Sequence, residues 1–359
     1  MPITPTKELP KPAQVVLSCT ELQATMDFLV ERAGFRLDRI SPADDPCLAD
    51  MSGHGLHLQL RRDAGPNAEL LVIPTCEEGA LPAALVAPNG TRIEFVRTEP
   101  SLRIPPVHQE FVVSRADDAS AWVTGRAGMQ YRDLIPGRQG GRFVASNIRI
   151  LKGGVVADNV HFHAIRFQMI YCTKGWVRLV YQDQGPEFVL QAGDCVLQPA
   201  LIRHRVLESS DGLEVVEIAC PAEHDTFLDH DLALPTAHLD RERDFDGQTF
   251  VRHEAADAQW RPWTQAGFEF RDLGIEEGTR GLAQAVVLRN LPEYEQTIPW
   301  SHAGEFLFTY ILEGSCHLAG HPGGPITLGK GDSVTLPAGM ECSLEARSGD
   351  LQILELRLP

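Results

Sequence analysis

No run of this chain approaches the roughly 18 consecutive apolar residues that a membrane-spanning helix requires. The opening stretch, MPITPTKELPKPAQ, lacks the apolar core of a signal peptide. A membrane is therefore not an expected partner, and a cytoplasmic location is the expectation. Cationic surplus is missing too. With 49 Asp and Glu against 32 Lys and Arg the formal net charge is −17. That balance opposes a phosphate-tracking groove, so nucleic acid is not an expected partner either. The eight cysteines are scattered without a CxxC pair, which argues against a disulfide framework or a thiolate zinc site; most read as small buried apolar residues. There is no GxSxG nucleophile elbow and no complete phosphate-cradling GxxxxGK[ST] loop.

What the chain does have is length and repetition. Its 359 residues exceed one ordinary core, so two or three domains are expected. Slid against itself by 139 positions, the sequence lays Phe111 on Phe250, Val112 on Val251, YRDL (131–134) on FRDL (270–273), His163 on His302, Tyr171 on Tyr310 and Gly175 on Gly314. After one deletion, an offset of 138 lays Asp194, Val196 and Pro199 on Asp332, Val334 and Pro337. Two copies of one unit follow. The expected domains are residues 1–104, 105–225 and 248–359, with an acidic linker at 226–247. Inside each copy, short β-rich runs such as WVRLVYQ and FLFTYIL are punctuated by Gly and Pro, which predicts an antiparallel sandwich or barrel.

The stretch HFHAIRFQ (161–168) carries the chemistry. Side chains two apart on a strand share a face, so His161 and His163 can converge on one point. Gln168 is out of phase with them and joins only across a turn or bulge. His204, after the GD and Pro turn signals of GDCVLQPALIRH, is a third imidazole on a separate strand. Gly154, His161, His163, Gln168 and Gly175, followed by Gly193, Asp194, Pro199 and His204, resemble the two motifs of the cupin family. The resemblance covers about residues 105–359. It implies a mainly β fold of two tandem jelly-roll barrels, a bicupin, with metal ligands at His161, His163 and His204 and with Gln168 standing where the family commonly has Glu.

Three imidazoles and an amide are neutral, so a divalent cation would keep its charge and favour an anionic or chelating substrate. Gln168 would complete the shell or orient substrate, and Arg166 is a candidate for meeting an anionic group. The repeat supplies an internal control: His161 maps to Trp300, Gln168 to Leu307 and His204 to Cys342, and only His163 keeps its counterpart, His302. The second barrel is expected to pack rather than bind metal, although His302, Glu305 and Cys342 offer an improvised site.

Residues 1–100 lie outside the repeat. AQVVLSC reads as a strand, TELQATMDFLVERAG as an amphipathic helix capped by Thr20, and FRLDRI, CLADM, LHLQLRR and ELLVI as strands. PNGTRIEFV adds a turn and a last strand. This βαβββ order and the phrases DFLVERAGF and APNGTRIEF resemble the vicinal oxygen chelate family of glyoxalase I and bleomycin-resistance proteins, whose metal positions would fall near Gln14 and Glu94. A single such unit implies a structural or dimerising role, and a homodimer is the expected assembly. For the whole chain, the leading expectation is a non-haem dioxygenase or related oxidoreductase with one divalent metal, Fe(II) ahead of Zn, Ni, Mn or Cu. Its substrate would be a small anionic aromatic or enolisable molecule. A metal-assisted isomerase or lyase, and a non-catalytic sensor, are the alternatives.

Overall fold

The structure is a computed structural model that describes residues 13–62, 70–75, 83–86, 92–97, 102–118, 122–125, 128–321 and 323–359. By contact the chain divides into two compact units, one of Met1–Arg103 with His224–Asp229, the other of Ile104–Glu223 with His230–Pro359.

In the first unit the strand Gln14–Cys19, the helix Leu22–Ala33 and the strands Arg36–Ser41, Leu48–Gly53 and Leu56–Arg62 follow in βαβββ order. Leu22 and Met26 of the helix pack on Ile40, Ala49, Met51, Leu58 and Leu60 of the sheet. Thr20 does not cap the helix. Position N-cap falls on Glu21, whose side chain makes no capping bond, while the Thr25 hydroxyl donates to the Glu21 carbonyl at 2.7 Å. Gly34 ends the helix in the left-handed conformation, at φ 69°. The PNG turn expected at 88–90 lies outside the described residues, but the strand after it is found as Arg92–Arg97. The short strand Thr226–Leu228 adds to the edge strand Arg36–Ser41, and Arg39 is held between Asp50 at 3.2 Å and Asp225 at 2.8 Å. Part of the acidic connecting stretch therefore serves as sheet rather than as spacer.

The second unit is mainly β and is built twice over. In the first copy, one sheet orders Cys195–Leu197, Phe167–Lys174, Leu213–Cys220, Val144–Ile150 and Gln130–Asp133. The opposing strands are Phe188–Gln191, Trp176–Tyr181, His204–Ser209 and His161–His163. The second copy repeats this with Ser333–Thr335, Phe306–Glu313, Gln352–Leu358, Gln284–Asn290 and Phe268–Asp272 against Ile326–Gly329, Ser315–Ala319, Cys342–Glu345 and Ile298–Trp300. Gly175 and Gly314 occupy the same left-handed turn in the two copies, at φ 73° and 71°, where a Cβ would collide with the hydroxyls of Ser210 and Ser348.

The two copies exchange their first strands. Val112–Ser114, from the first repeat, pairs with Ser333–Thr335 of the second; Val251–His253, from the second, pairs with Cys195–Leu197 of the first. The polar contacts are reciprocal as well. Asp332 accepts the Ala116 amide and Asp194 the Ala255 amide, both at 2.8 Å. Arg132 donates to the Gly331 carbonyl at 3.0 Å, and Arg271 to the Gly193 carbonyl at 3.2 Å. Repeats contiguous in sequence are thus interlocked in space. Between them Phe143 and Phe306 stack at 4.0 Å inside a shared core that also takes in Phe167, Phe308 and Leu354. Each such buried side chain contributes about 1.5–3 kcal/mol by leaving water.

Candidate metal centre

His161 and His204 are direct partners across two antiparallel strands, and His204 is in turn the partner of Tyr181 on its other side. Residues facing one another across a sheet share its face, so these three rings form one rung aimed the same way. His163, two positions beyond His161, joins that face. The ring centroids lie 4.2 Å apart for His161 and His204, 5.3 Å for His161 and His163, and 5.2 Å for His163 and His204. One ring nitrogen from each falls within 4.8 Å of the other two. All three are buried, with 2 %, 8 % and 4 % of their surface exposed for His161, His163 and His204.

The backbone selects the nitrogens. His161 Nδ1 lies 2.8 Å from the Asn159 carbonyl and His204 Nδ1 lies 3.0 Å from the Ile202 carbonyl. A carbonyl only accepts, so Nδ1 carries a proton in both rings, and in the neutral imidazole Nε2 then keeps its lone pair. Asp158 Oδ2 stands 3.6 Å from His161 Nδ1 and accepts the Val206 amide at 2.9 Å, which anchors it behind that ring. Gln198, buried between Tyr181 and His204, accepts the Tyr181 hydroxyl with its carbonyl and leaves its amide nitrogen 3.5 Å from His204 Nε2, a marginal contact. Burial pushes the Tyr181 phenol far above its ordinary value, so it remains a neutral donor.

Gln168 is 2 % exposed, and its amide nitrogen donates to the Glu217 carboxylate. That bond fixes which way the amide faces: its Oε1 is buried with no hydrogen-bond partner. Gln168 Oε1 is an orphaned acceptor at a motif position, and the three imidazoles converge on one another; donors of both kinds suit a divalent cation. On this observation the residues fit a bound metal. Asp158 and Glu217 place two carboxylates directly behind the donors, so the charge of a cation here would be offset without a carboxylate in its own shell.

Arg166 is engaged in an ion pair. Its guanidinium is held by both oxygens of Glu305, at 3.0 and 3.1 Å, and Arg142 binds the same carboxylate at 2.5 Å. Burial favours a higher pKa for Glu305, but the hydrogen bonds and charges of Arg142 and Arg166 outweigh it and hold the carboxyl below its usual range. Arg166 and Glu305 are repeat counterparts, so this pair joins the two copies at equivalent positions.

The second copy has the same rung with other residues. Trp300 faces Cys342 where His161 faces His204. Trp300 is 1 % exposed and donates through Nε1 to Thr309 at 3.2 Å, so a packed indole stands at the position His161 holds in the first copy. His302 Nε2 is engaged with the Leu336 carbonyl at 2.7 Å, and burial raises the Cys342 thiol, keeping it protonated. With Glu305 bound by arginines, the improvised site is not assembled. In the first unit Gln14 and Glu94 both face Val72 from opposite sides, so one strand separates them. The three-histidine group is the one potential metal cluster among the described residues.

Sequence reasoning missed Glu217, Tyr181 and Gln198. The repeat could have found Glu217, because at the offset of 138 it lies on Glu355, and a glutamate kept at the same place inside two β-rich cores calls for a reason. Tyr181 and Gln198 carry no such signal.

Residues 299–351 match the profile of the EutQ-like cupin domain. Among solved structures, the oxalate decarboxylase of Lactobacillus farciminis in complex with formate superimposes with a TM-score of 0.51 at 13 % identity, over 70 % of this chain and 88 % of that one. The fold is the cupin jelly roll. The protein Ylba from E. coli gives a TM-score of 0.49 at 13 % identity, over 72 % of this chain and 95 % of that one. No protein of curated function matches the chain in sequence. The matched profile lies on the second cupin barrel, whereas the histidines lie on the first. No helix among the described residues is long and apolar enough to cross a membrane.

Proposed function

We propose that the first barrel is the active site of a metal-dependent enzyme, with His161, His163 and His204 holding one divalent cation and Gln168 Oε1 completing or bordering its shell. The observation that carries this reading is the convergence of three buried imidazoles within 4.8 Å, two of them with Nδ1 engaged by backbone carbonyls, which leaves Nε2 of the neutral ring for a cation. A cation at this point supplies Lewis-acid polarisation, and Fe(II) in particular supplies one-electron chemistry toward O2. The chain's own residues do the rest. Glu217 orients the Gln168 amide, Asp158 backs His161, and the neutral Tyr181 hydroxyl with Gln198 fixes the polar wall beside His204.

The leading reading is a non-haem dioxygenase or related oxidoreductase acting on a small anionic or enolisable, chelating substrate. A second reading is a metal-assisted lyase. It draws support from the oxalate decarboxylase similarity in fold, whose named substrate is a small chelating dianion. The N-terminal unit, with its vicinal-oxygen-chelate-like βαβββ order, is read as a supporting and dimerising element. Elemental analysis of anaerobically purified protein beside His163→Ala tests the metal, and oxygen uptake against release of CO2 with a panel of acidic aromatics, diketones and oxalate separates the two reactions. Stoichiometric metal lost in His163→Ala, with uptake, is the expected result. Equal metal in both proteins would overturn the site.

A further inference from the structure

Between the two interlocked copies of the second unit, away from the histidines, lies a cleft of about 530 Å³, within the size range of small-molecule sites. Both repeats line it: Trp122, Arg132, Asn147 and Arg149 come from the first, Tyr310 and Lys330 from the second. Arg132 is 2 % exposed, and its Nε has no hydrogen-bond partner although its terminal nitrogens donate to the Arg115 and Gly331 carbonyls. Carbonyls cannot neutralise a guanidinium, and among the described residues no carboxylate reaches it. A buried cation without a counter-ion is costly and calls for an anion. Arg149 likewise donates to Gln130 at 2.8 Å and stacks 3.8 Å over the Trp122 ring, with no carboxylate partner among the described residues. The lysines of the cleft are accounted for, since Lys174 pairs with Glu214 at 3.5 Å and Lys330 with Glu313 at 2.5 Å. Two unbalanced arginines thus sit in a chain whose net charge is −17.

Asn147 adds direction. It is 3 % exposed; its amide nitrogen donates to the Tyr310 hydroxyl at 3.2 Å, and its Oδ1 is left buried without a partner. The cleft therefore offers uncompensated positive charge beside one unsatisfied acceptor. We infer that it binds a small hydroxy- or amino-carboxylate, the carboxylate meeting Arg132 and Arg149 and the hydroxyl or ammonium donating to Asn147 Oδ1. This site is separate from the histidine centre and does not depend on the reaction assigned there.

Calorimetric titration of the full chain with malate, lactate, their deoxy analogues succinate and propionate, and inorganic phosphate tests it. The hydroxy acids are expected to bind about tenfold more tightly than the deoxy acids, because an unpaired buried acceptor remains when the hydroxyl is missing. Asn147→Asp, which places negative charge in the cleft, should abolish binding, and Arg149→Gln should weaken it about tenfold. His161→Ala should leave it unchanged. Should Asn147→Asp fail to fold, as read by its melting curve, Arg149→Gln decides. The inference is overturned by any one of four results: no acid binding below about 10 mM, affinity unaltered in both cleft variants, binding lost in His161→Ala, or phosphate matching the hydroxy acids.

Discussion

His204 sits in the middle of a rung, with His161 on one side and Tyr181 on the other, so its loss should cost more than one ligand. In His204→Ala the proposed cation would lose a donor, and Gln198 would lose the ring beside it. Metal affinity, measured by competition with a chromogenic chelator, is expected to fall by more than about a hundredfold. Gln168→Leu should lower it by about 10–100-fold, the range typical of groups that support a metal site. Glu355 carries a pH prediction. Burial raises its carboxyl pKa, and the hydrogen bond and charge of Arg357 only partly oppose this; its Oε2 has no partner. A raised folded pKa means that the ionised form is disfavoured on folding. The cost is absent below the ordinary glutamate range and grows as pH rises through the folded value. Glu355→Gln should therefore stabilise the protein at neutral and alkaline pH, with the gain vanishing in acid, as read by denaturant unfolding across pH. At this scale the grouping of His161, His163 and His204 was legible in advance, because HxH and a later His declare themselves by spacing. The shared glutamate was visible as Glu217 over Glu355, but its role was not, since only pairing with Gln168 in one barrel and Arg357 in the other distinguishes them.

The strands that carry these residues behave as interchangeable frames. Ile298–Trp300 and His161–His163 hold the same place in their sheets, yet one presents an indole and the other two imidazoles. Trp300 is fully packed among Phe268, Leu307 and Leu344. Trp300→Ala should destabilise the fold by about 3–5 kcal/mol, the cost of a large cavity, while metal content stays at the wild-type level. Equilibrium unfolding and elemental analysis together check this. The Arg166–Glu305 link belongs to the same scale, because it ties the ends of two equivalent strands. The carboxyl of Glu305 is held below its ordinary value, so the link stabilises at pH above the usual glutamate range and weakens as pH falls through the depressed value. Glu305→Gln should remove that part of the acid dependence. Strand positions and the replacement of the histidine rung in the second copy were readable from the repeat. The engagement of Arg166 was not, because an arginine near a motif does not announce a partner 139 residues away.

In the whole molecule the exchanged first strands decide how the repeats depend on one another. Residues 230–359 expressed alone would lack Val112–Ser114 beside Ser333–Thr335, and their own Val251–His253 would have no sheet to join. The expected outcome is an insoluble or unfolded fragment, rescued by co-expression with residues 1–229 and checked by co-purification and circular dichroism. A folded, monomeric fragment would contradict the interlocking. Alternation of apolar residues, turn signals and self-similarity determined, in sequence alone, that the chain is mainly β, duplicated, and equipped with one set of histidines; these are local properties of short segments. Which repeat completes which sheet, where Arg166 finds its counter-charge, how Gln168 is turned by Glu217, and that Arg132 and Asn147 face a common cleft were decided only by tertiary structure. Each depends on residues distant in sequence being brought within a few ångströms, a distance that no local pattern encodes.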